Sequence, residues 1–443
     1  MISLSKRILA LLFAALTILG AASCASPKPA EPSGPEAAEP GAPTETAVPV
    51  FTPLPSPVLV PTPSPEPTPA PTPEPTDVPT EAPTAAPTPA PTAAPTPKPT
   101  AAPVSATMMF VGDLMCLSGQ QYAAKKQASG GAKYDFRPSF EYVKPILSRA
   151  DCAIGNLETT LSHSFPYASA EKTIDGKPNC NGPAIYLQAL KYAGFDALAL
   201  ANNHCCDAGV KGIEETLDAL DEYGFKYTGL FRSSGSKRFT MLNVKGIKVA
   251  LLSYTEFYNG KNSAVVNAGK SYMLNTYSKD RMSRDIASAR AAGAELIVVY
   301  EHWGREHTHS PIDKQRKHAQ EIADAGADII CGSHSHCMQP CKWITSSSGK
   351  KVLLMYSMGN FVSSMGQEAA NDTVIVEVRI RRESDGSVHA VSDKLHPCRV
   401  LYSFKGSGFV VMPTSKKTEY SSIKAQLEAA EKRILDELNA ERK

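Results

Sequence analysis

The 443-residue chain has no Cys-x-x-Cys pair, no long run of basic residues and no apolar run long enough to cross a bilayer. The first absence removes the spaced thiol pairs of zinc ribbons and dithiol redox centres. The second, with a net charge of only +2, argues against a nucleic-acid partner. The third leaves no candidate spanning helix. Cysteine itself is present ten times, but the spacing is irregular and matches no disulfide framework. Proline is scarce outside one stretch, since 27 of the 36 fall between Pro27 and Pro103.

What is present begins with MISLSKRILALLFAALTILGAASC. Lys6 and Arg7 precede an apolar run from Ile8 to Leu19, and small residues then lead into Cys24. This is the layout of an export signal over residues 1–23, and the Cys after "AAS" resembles a bacterial lipobox. Acylation of Cys24 would hold the protein on the outer face of the cell membrane, with an extracellular domain. Residues 24–104 are almost only Pro, Thr, Ala, Glu and Ser. Such a segment cannot bury enough apolar surface to fold, and in polyproline II at ~3.1 Å per residue it could reach on the order of 200 Å. It is expected to be a disordered stalk. A folded domain is expected over 105–405, with a C-terminal extension over 406–443.

In the folded part, short apolar runs alternate with helical patterns. "ATMMFVGD", "DCAIGN", "DALALA", "KVALLSYTE", "AELIVVYEHW" and "DIICGSH" read as strands. "SFEYVKPILSRA", "AIYLQALKYAG", "GVKGIEETLDALDEYG", a segment near 279–292 and "SPIDKQRKHAQEIADAGA" read as helices. From "CKWITSS" onward the strands follow one another without helices, through "KVLLMYSMGNFV", "TVIVEVRIRR" and "SVHAVSDKL". The terminal "SIKAQLEAAEKRILDELNAERK" reads as a solvated amphipathic helix. The fold class is α/β with added antiparallel strands, in which ligands sit at the carboxyl ends of strands.

The polar residues gather at those ends. Asp113 closes the first strand, Asn156 and Glu158 the second, and Asn203, His204 and Asp207 the third. His302 and Glu306 end a later strand, and His334 and His336 the next. Carboxylate, amide oxygen and imidazole together suit one or two divalent ions, with Mn, Fe, Zn and Mg all compatible. The His-x-His spacing places two imidazoles on the same side of an extended chain. Asn203 reads as a ligand and His204 as a general acid. Asp207 either orients His204 or caps the helix that starts near Gly209. Cys205 and Cys206 occupy the unspecified places of an N-N-H-x-x-D pattern and read as buried small hydrophobes.

The motifs "FVGDLMC", "GNLETTLS", "AGFDALALANNHCCDAG", "EHWGREH", "DAGADIICGSHSHCMQP" and "YSMGNFV" resemble, in order, those of the CapA proteins of poly-γ-glutamate capsule synthesis. Their fold belongs to the calcineurin-like metallophosphoesterases, and the resemblance covers about 107–365. It implies a four-layer α/β/β/α sandwich, with Asp113, Glu158, Asn203, His302, His334 and His336 as metal ligands. It gives His204 the acid or transition-state role and leaves Asn156 and Glu306 for the substrate. Three departures stand out. Leu114 and Met115 follow Asp113 where the superfamily has Asp-x-His. Ser333 and Ser335 replace a His and a Pro of the last motif. An Arg common in relatives has no counterpart in "NCNGPA", which leaves Arg232 as the candidate contact to an anionic substrate.

The resemblance therefore implies a surface-anchored protein of capsule or poly-γ-glutamate synthesis or transport, a metal-dependent hydrolase of phosphoesterase type. Its substrate would be an anionic polymer or a small phospho- or γ-glutamyl compound, and a capsule synthetase complex a partner. The alternative is a non-catalytic lipoprotein that binds or anchors an anionic polymer. Anchoring is directly testable. Cys24→Ser is expected to move the protein from the detergent phase to the aqueous phase in phase partitioning, and mass spectrometry should find diacylglycerol on Cys24 in the wild type.

Overall fold

A computed structural model describes residues 102–167 and 179–442. The export signal, Cys24 and nearly all of the stalk lie outside the described residues. The described residues fall in a single compact unit.

The first third of this unit runs β1 (Val104–Leu114), α1 (Ser118–Gln127), α2 (Lys144–Leu147), β2 (Cys152–Leu157), α3 (Tyr186–Ala193), β3 (Ala197–Ala199), α4 (Gly209–Glu222) and β4 (Lys226–Thr228). The middle contains β5 (Thr240–Val244), β6 (Ile247–Thr255), α5 (Asn262–Asn267), α6 (Lys279–Ala291), β7 (Leu296–His302), α7 (Asp313–Asp324), β8 (Ile329–Ser333), β9 (Met338–Thr345) and β10 (Lys351–Met358). The last part is β11 (Asn360–Val362), β12 (Asp372–Arg382), β13 (Val388–Tyr402), β14 (Phe409–Pro413) and α8 (Lys424–Asn439). One sheet has the order β14-β13-β12-β1-β2-β3-β4 with β11 on β1, and the other β5-β6-β7-β8-β10-β9.

Strand periodicity explains the layering. Met108 and Phe110 of β1 point to one face and Met109 and Val111 to the other, because successive side chains alternate. The first pair joins Val249, Leu251, Val298, Leu353 and Met355 in a core between the sheets. The second pair packs on Leu187 and Leu190 of α3 and Ile213 and Leu217 of α4. On the far face of the second sheet, Leu252, Val299 and Ile330 meet Met282 and Ile286 of α6 and Ile322 of α7. The result is the four-layer α/β/β/α sandwich. Strands buried on both faces carry continuous apolar runs, as the sequence showed.

Two expectations need correction. "SFEYVKPILSRA" forms only a 3-10 turn at Arg137–Phe140 and the single turn of α2. Pro138 and Pro145 each lack the amide that a continuous helix would use, so each starts a new turn. The C-terminal helix is amphipathic but not solvated. Leu427, Ala430, Ile434 and Leu438 of α8 are fully buried, and the last three join the inter-sheet core. Glu441 just beyond it pairs with Arg316 (2.7 Å) and Lys342 (2.6 Å). The boundary placed at 405/406 therefore separates no compact units, since β14 pairs with β13 and α8 closes the gap between sheets. Among the described residues no helix is long and apolar enough to cross a membrane.

Ile434 tests the role of α8. Ile434→Ala is expected to cost about 2–5 kcal/mol in chemical denaturation, the range for a buried large-to-small change. A cost under ~1 kcal/mol would mean that the helix is not part of the core.

Candidate metal centre

The two sheets meet at the end of β1. β10 belongs to the second sheet and β11 to the first, so the chain changes sheets at Gly359, whose φ is +64°. There the amide of Asp113 donates to the Gly359 carbonyl (3.0 Å) and that of Met115 to Val362 (3.1 Å). A Cβ on Gly112 would sit 1.9 Å from the Gly359 oxygen, so only glycine permits this approach. The register sets Asp113 opposite Asn360 of β11 on one side and Asn156 of β2 on the other.

Around Asp113 the carboxyl ends of β2, β3, β7 and β8 deliver a buried cluster. His302 Nε2 lies 3.0 Å from Asn203 Oδ1, 3.1 Å from His334 Nδ1 and 3.5 Å from Glu158 Oε1. His336 Nδ1 lies 3.5 Å from Asp113 Oδ2 and 4.0 Å from Glu158 Oε2. All six side chains expected as ligands are thus brought together. The His-x-His pair is not extended as the spacing implied. His334 (φ +93°) and His336 (φ +55°) hold backbone conformations that favour glycine. This bend directs one ring toward His302 and the other toward Asp113, with the two centroids 6.0 Å apart.

Beside the cluster, His204 Nδ1 is 2.7 Å from Asp207 Oδ2. That carboxylate also accepts the Cys180 amide at 2.6 Å, which fixes its position. Ala208 occupies the cap of α4 and no side chain caps the helix, so Asp207 orients His204 and the capping reading is overturned. With Nδ1 engaged, any proton transfer by His204 falls to Nε2. Thr160 Oγ1 donates to the His204 carbonyl (2.8 Å) and Asn202 Oδ1 accepts its amide (3.1 Å), holding the backbone as well. Cys205 and Cys206 point into the apolar layer under the first sheet. All nine cysteines among the described residues are free and buried.

The electrostatics of the cluster are unbalanced. Burial, then the like charge of Asp113, pushes the Glu158 carboxyl well above its ordinary value. Burial, then the neighbouring imidazoles, holds His302 and His334 well below theirs, which keeps them neutral. Burial acts the same way on His336, but the hydrogen bond and charge of Asp113 outweigh it and raise that group. Both carboxylate oxygens of Glu158 are buried without a hydrogen-bond partner. A divalent ion fits here: it would give Glu158 its missing partner, and the donors are the mixed oxygen and imidazole set such ions take. Glu158, His302 and His334 each offer a donor atom within 4.8 Å of the others, and so do Asp113, Glu158 and His336. Glu158 belongs to both groups, so one ion or two could be held. Neither group contains a cysteine.

Three expected substrate contacts fare differently. Arg232 is not brought to the cluster, because its guanidinium is held by Asp218 (2.8 Å) and Asp221 (2.5 Å) of α4. Asn156 is buried and braces the cluster, donating to Asp113 Oδ1 (2.8 Å) and accepting from Asn202 (3.2 Å). Glu306 is exposed, yet its charge acts on Glu158 and His336, which places it at the rim. The sequence reading passed over Asn360 of "YSMGNFV", whose Oδ1 accepts from His336 Nδ1 at 2.8 Å. It also passed over Asn202, the first Asn of "NNH". Phe257 stacks edge-on at 4.4 Å from the His334 ring, and no sequence signal pointed to it.

Comparison with known proteins gives a consistent set. The family described as "Bacterial capsule synthesis protein PGA_cap" matches residues 107–365. The "PGA biosynthesis protein CapA" of Bacillus subtilis (strain 168) is 30% identical over 292 residues, covering 65% of this chain and 71% of that protein. The "Capsule biosynthesis protein CapA" of Bacillus anthracis is 32% identical over 281 residues, covering 62% and 64%. The chain thus spans about two thirds of the length of these relatives. Among solved structures, the calcineurin-like phosphoesterase YfkN from Bacillus subtilis matches with a TM-score of 0.41 at 13% identity, covering 74% of this chain and 100% of that one.

The unpartnered carboxylate makes a reciprocal prediction. Glu158→Gln is expected to weaken divalent-metal binding by more than ~10-fold, measured by metal analysis after dialysis. Stripped of metal, the same variant should melt above stripped wild type, because it lacks a buried acid without a partner. In excess metal the order of the two melting temperatures should reverse.

Proposed function

The chain belongs to the bacterial capsule synthesis protein PGA_cap family, and on that footing we propose that it is a metal-dependent hydrolase of phosphoesterase type serving synthesis or transport of a capsule polymer. In this reading Cys24 carries a lipid, the stalk spans the wall, and the folded domain works outside the cell, beside or within a synthetase complex. The printed names of the Bacillus relatives support poly-γ-glutamate as the polymer. The substrate class is an anionic polymer or a small phospho- or γ-glutamyl compound.

The observation that carries the proposal is the pairing of a buried, uncompensated Glu158 and imidazole cluster with an oriented His204 at its edge. Asp113, Glu158, Asn203, His302, His334 and His336 would hold the ion. A divalent ion there supplies Lewis-acid polarisation of a phosphoryl or carbonyl oxygen and a lowered pKa for an adjacent water. The chain's own residues do the rest. Asp207 holds His204 by Nδ1, and His204 delivers a proton from Nε2 to the departing oxygen. Asn156 and Asn202 keep Asp113 and the Asn203 turn in register, and Phe257 shields the His334 ring from water.

His204→Ala is expected to lower kcat by ~10²–10⁴ on a chromogenic phosphoester or γ-glutamyl substrate while metal content stays at the wild-type level. Asp207→Asn should lose activity in the same direction, with metal again retained. If metal-loaded wild type turns over none of a phosphoester and γ-glutamyl panel yet binds the polymer, the hydrolase reading falls and a polymer-anchoring role replaces it.

A further inference from the structure

Away from the metal centre, a groove of about 380 Å³ runs between α1 and the β13–β14 hairpin. Its walls carry Tyr122, Lys126 and Gln127 from α1 and Tyr402, Ser403 and Phe409 from the hairpin. Tyr402 is 73% exposed and Tyr122 60%, the two most exposed large rings among the described residues. Lys126 Nζ stands 4.5 Å over the Tyr122 ring, and the Tyr402 and Phe409 rings lie 5.0 Å apart. None of the lining residues carries a carboxylate.

The groove is a built junction. A Cβ on Gly408 would fall 2.5 Å from the Ala123 Cβ and 2.9 Å from Gln127 Nε2, so the hairpin tip sits directly on α1. The tip itself is strained. Ser403 (φ +55°) and Lys405 (φ +51°) hold left-handed conformations, and the Ser403 amide closes the turn on the Gly408 carbonyl at 2.6 Å. L side chains rarely adopt such conformations, and they persist where the surroundings impose them, often at binding surfaces. Here they stand beside Tyr402, which is left in water rather than folded against the domain.

We propose that this groove is a binding site for an acidic polysaccharide. Flat tyrosine rings match the apolar faces of sugar rings, and their hydroxyls, with Gln127 and Ser403, suit sugar hydroxyls. The exposed Lys126, with Lys125 beside it, supplies the charge for a carboxylate on the sugar. The ratio of rings to charges selects this ligand over a polyglutamate chain. Every residue of such a chain would bring a carboxylate and none a ring, whereas the groove offers three aromatic rings and one lining cation. α1 is also the first helix after Asp113, and Gly119 in it packs on Phe409 and on Ser364 near the Asn360 turn. A glycan held here would lie on the helix that follows the Asp113 strand, apart from the metal centre. The site is independent of the catalytic reading, because its ligand makes no contact with metal or with His204.

The test is calorimetric titration of the full chain with fragments of polygalacturonate and of hyaluronan, with cellohexaose as the neutral control and poly-γ-glutamate as the rival polymer. At least one acidic fragment is expected to bind, with cellohexaose weaker. The Tyr122→Ala/Tyr402→Ala pair should weaken binding at least ~10-fold, the loss expected for removal of two stacking anchors. Lys126→Ala should cost about 3-fold and abolish the preference for acidic over neutral glycan. Tyr402→Trp keeps a ring and should hold binding within about 2-fold, which separates stacking from a folding defect. The proposal is overturned if no acidic fragment binds at about 5 mM, or if binding is unchanged in the double variant. It is equally overturned if poly-γ-glutamate alone binds in a Tyr402-dependent way. A wild-type dimer in light scattering that the double variant dissolves would assign the groove to a second copy of the chain instead.

Discussion

The physical constraint on which the site depends is the burial of Glu158 with neither carboxylate oxygen satisfied. A buried polar atom without a partner costs on the order of 1–3 kcal/mol, and more when charged. Around it stand Asp113, a second buried acid, and three buried imidazoles, two of which burial keeps neutral. A proton on Glu158, which burial and Asp113 favour, removes the charge but does not engage the donors that surround it. A cation does, and the rest of the architecture can be understood as holding the groups in place until one arrives.

The scaffold does this by making two sheets share one corner. The change of sheet at Gly359 puts Asn360 beside Asp113, and Gly112 allows the backbones to touch. The amides of Asn156 and Asn202 then link the ends of β2 and β3. On the other side, Tyr300 in β7 donates to the Ile154 carbonyl of β2 at 2.9 Å, tying the strand that carries His302 to the one that leads to Glu158. Behind the Glu158 loop, Glu215 of α4 accepts from Ser162 Oγ (2.5 Å) and the Ser164 amide (3.1 Å). Burial would raise that carboxyl, yet these hydrogen bonds prevail and hold it at about 2. The contrast with Glu158 is one of partners: Glu215 is held by hydrogen bonds, whereas the imidazoles of His302 and His336 stand 3.5 and 4.0 Å from the Glu158 oxygens without bonding them.

Much of the site was legible because strand ends concentrate chemistry. Asp113, Glu158, Asn203, His302, His334 and His336 could be named from where apolar runs stop, and the fold brings all six together. Arg232 misled because an arginine in a loop gives no sign of being already neutralised by Asp218 and Asp221. Asn156 misled for the opposite reason, since its amide is consumed by Asp113 from a strand 43 residues away. The terminal helix showed the usual charge alternation of a surface helix, and only its docking between sheets revealed that Ile434 and Leu438 are core.

By itself, the sequence determined what local pattern can encode. It set the strand and helix periods, the Pro- and Thr-rich composition of residues 24–104 and the set of side chains able to bind a hard cation. The conspicuous Cys205–Cys206 pair could already be read as spacer, because neighbouring cysteines lack the spacing of a Cys-x-x-Cys pair. Tertiary structure alone decided the partnerships. It chose between orienting and capping for Asp207, bent the His-x-His pair out of an extended chain, and recruited Phe257 and Asn360. Apart from the His204–Asp207 contact itself, those outcomes depend on groups tens to hundreds of positions away, such as the Cys180 amide on Asp207 and Asp113 beside His334, and no local propensity records which distant group will arrive.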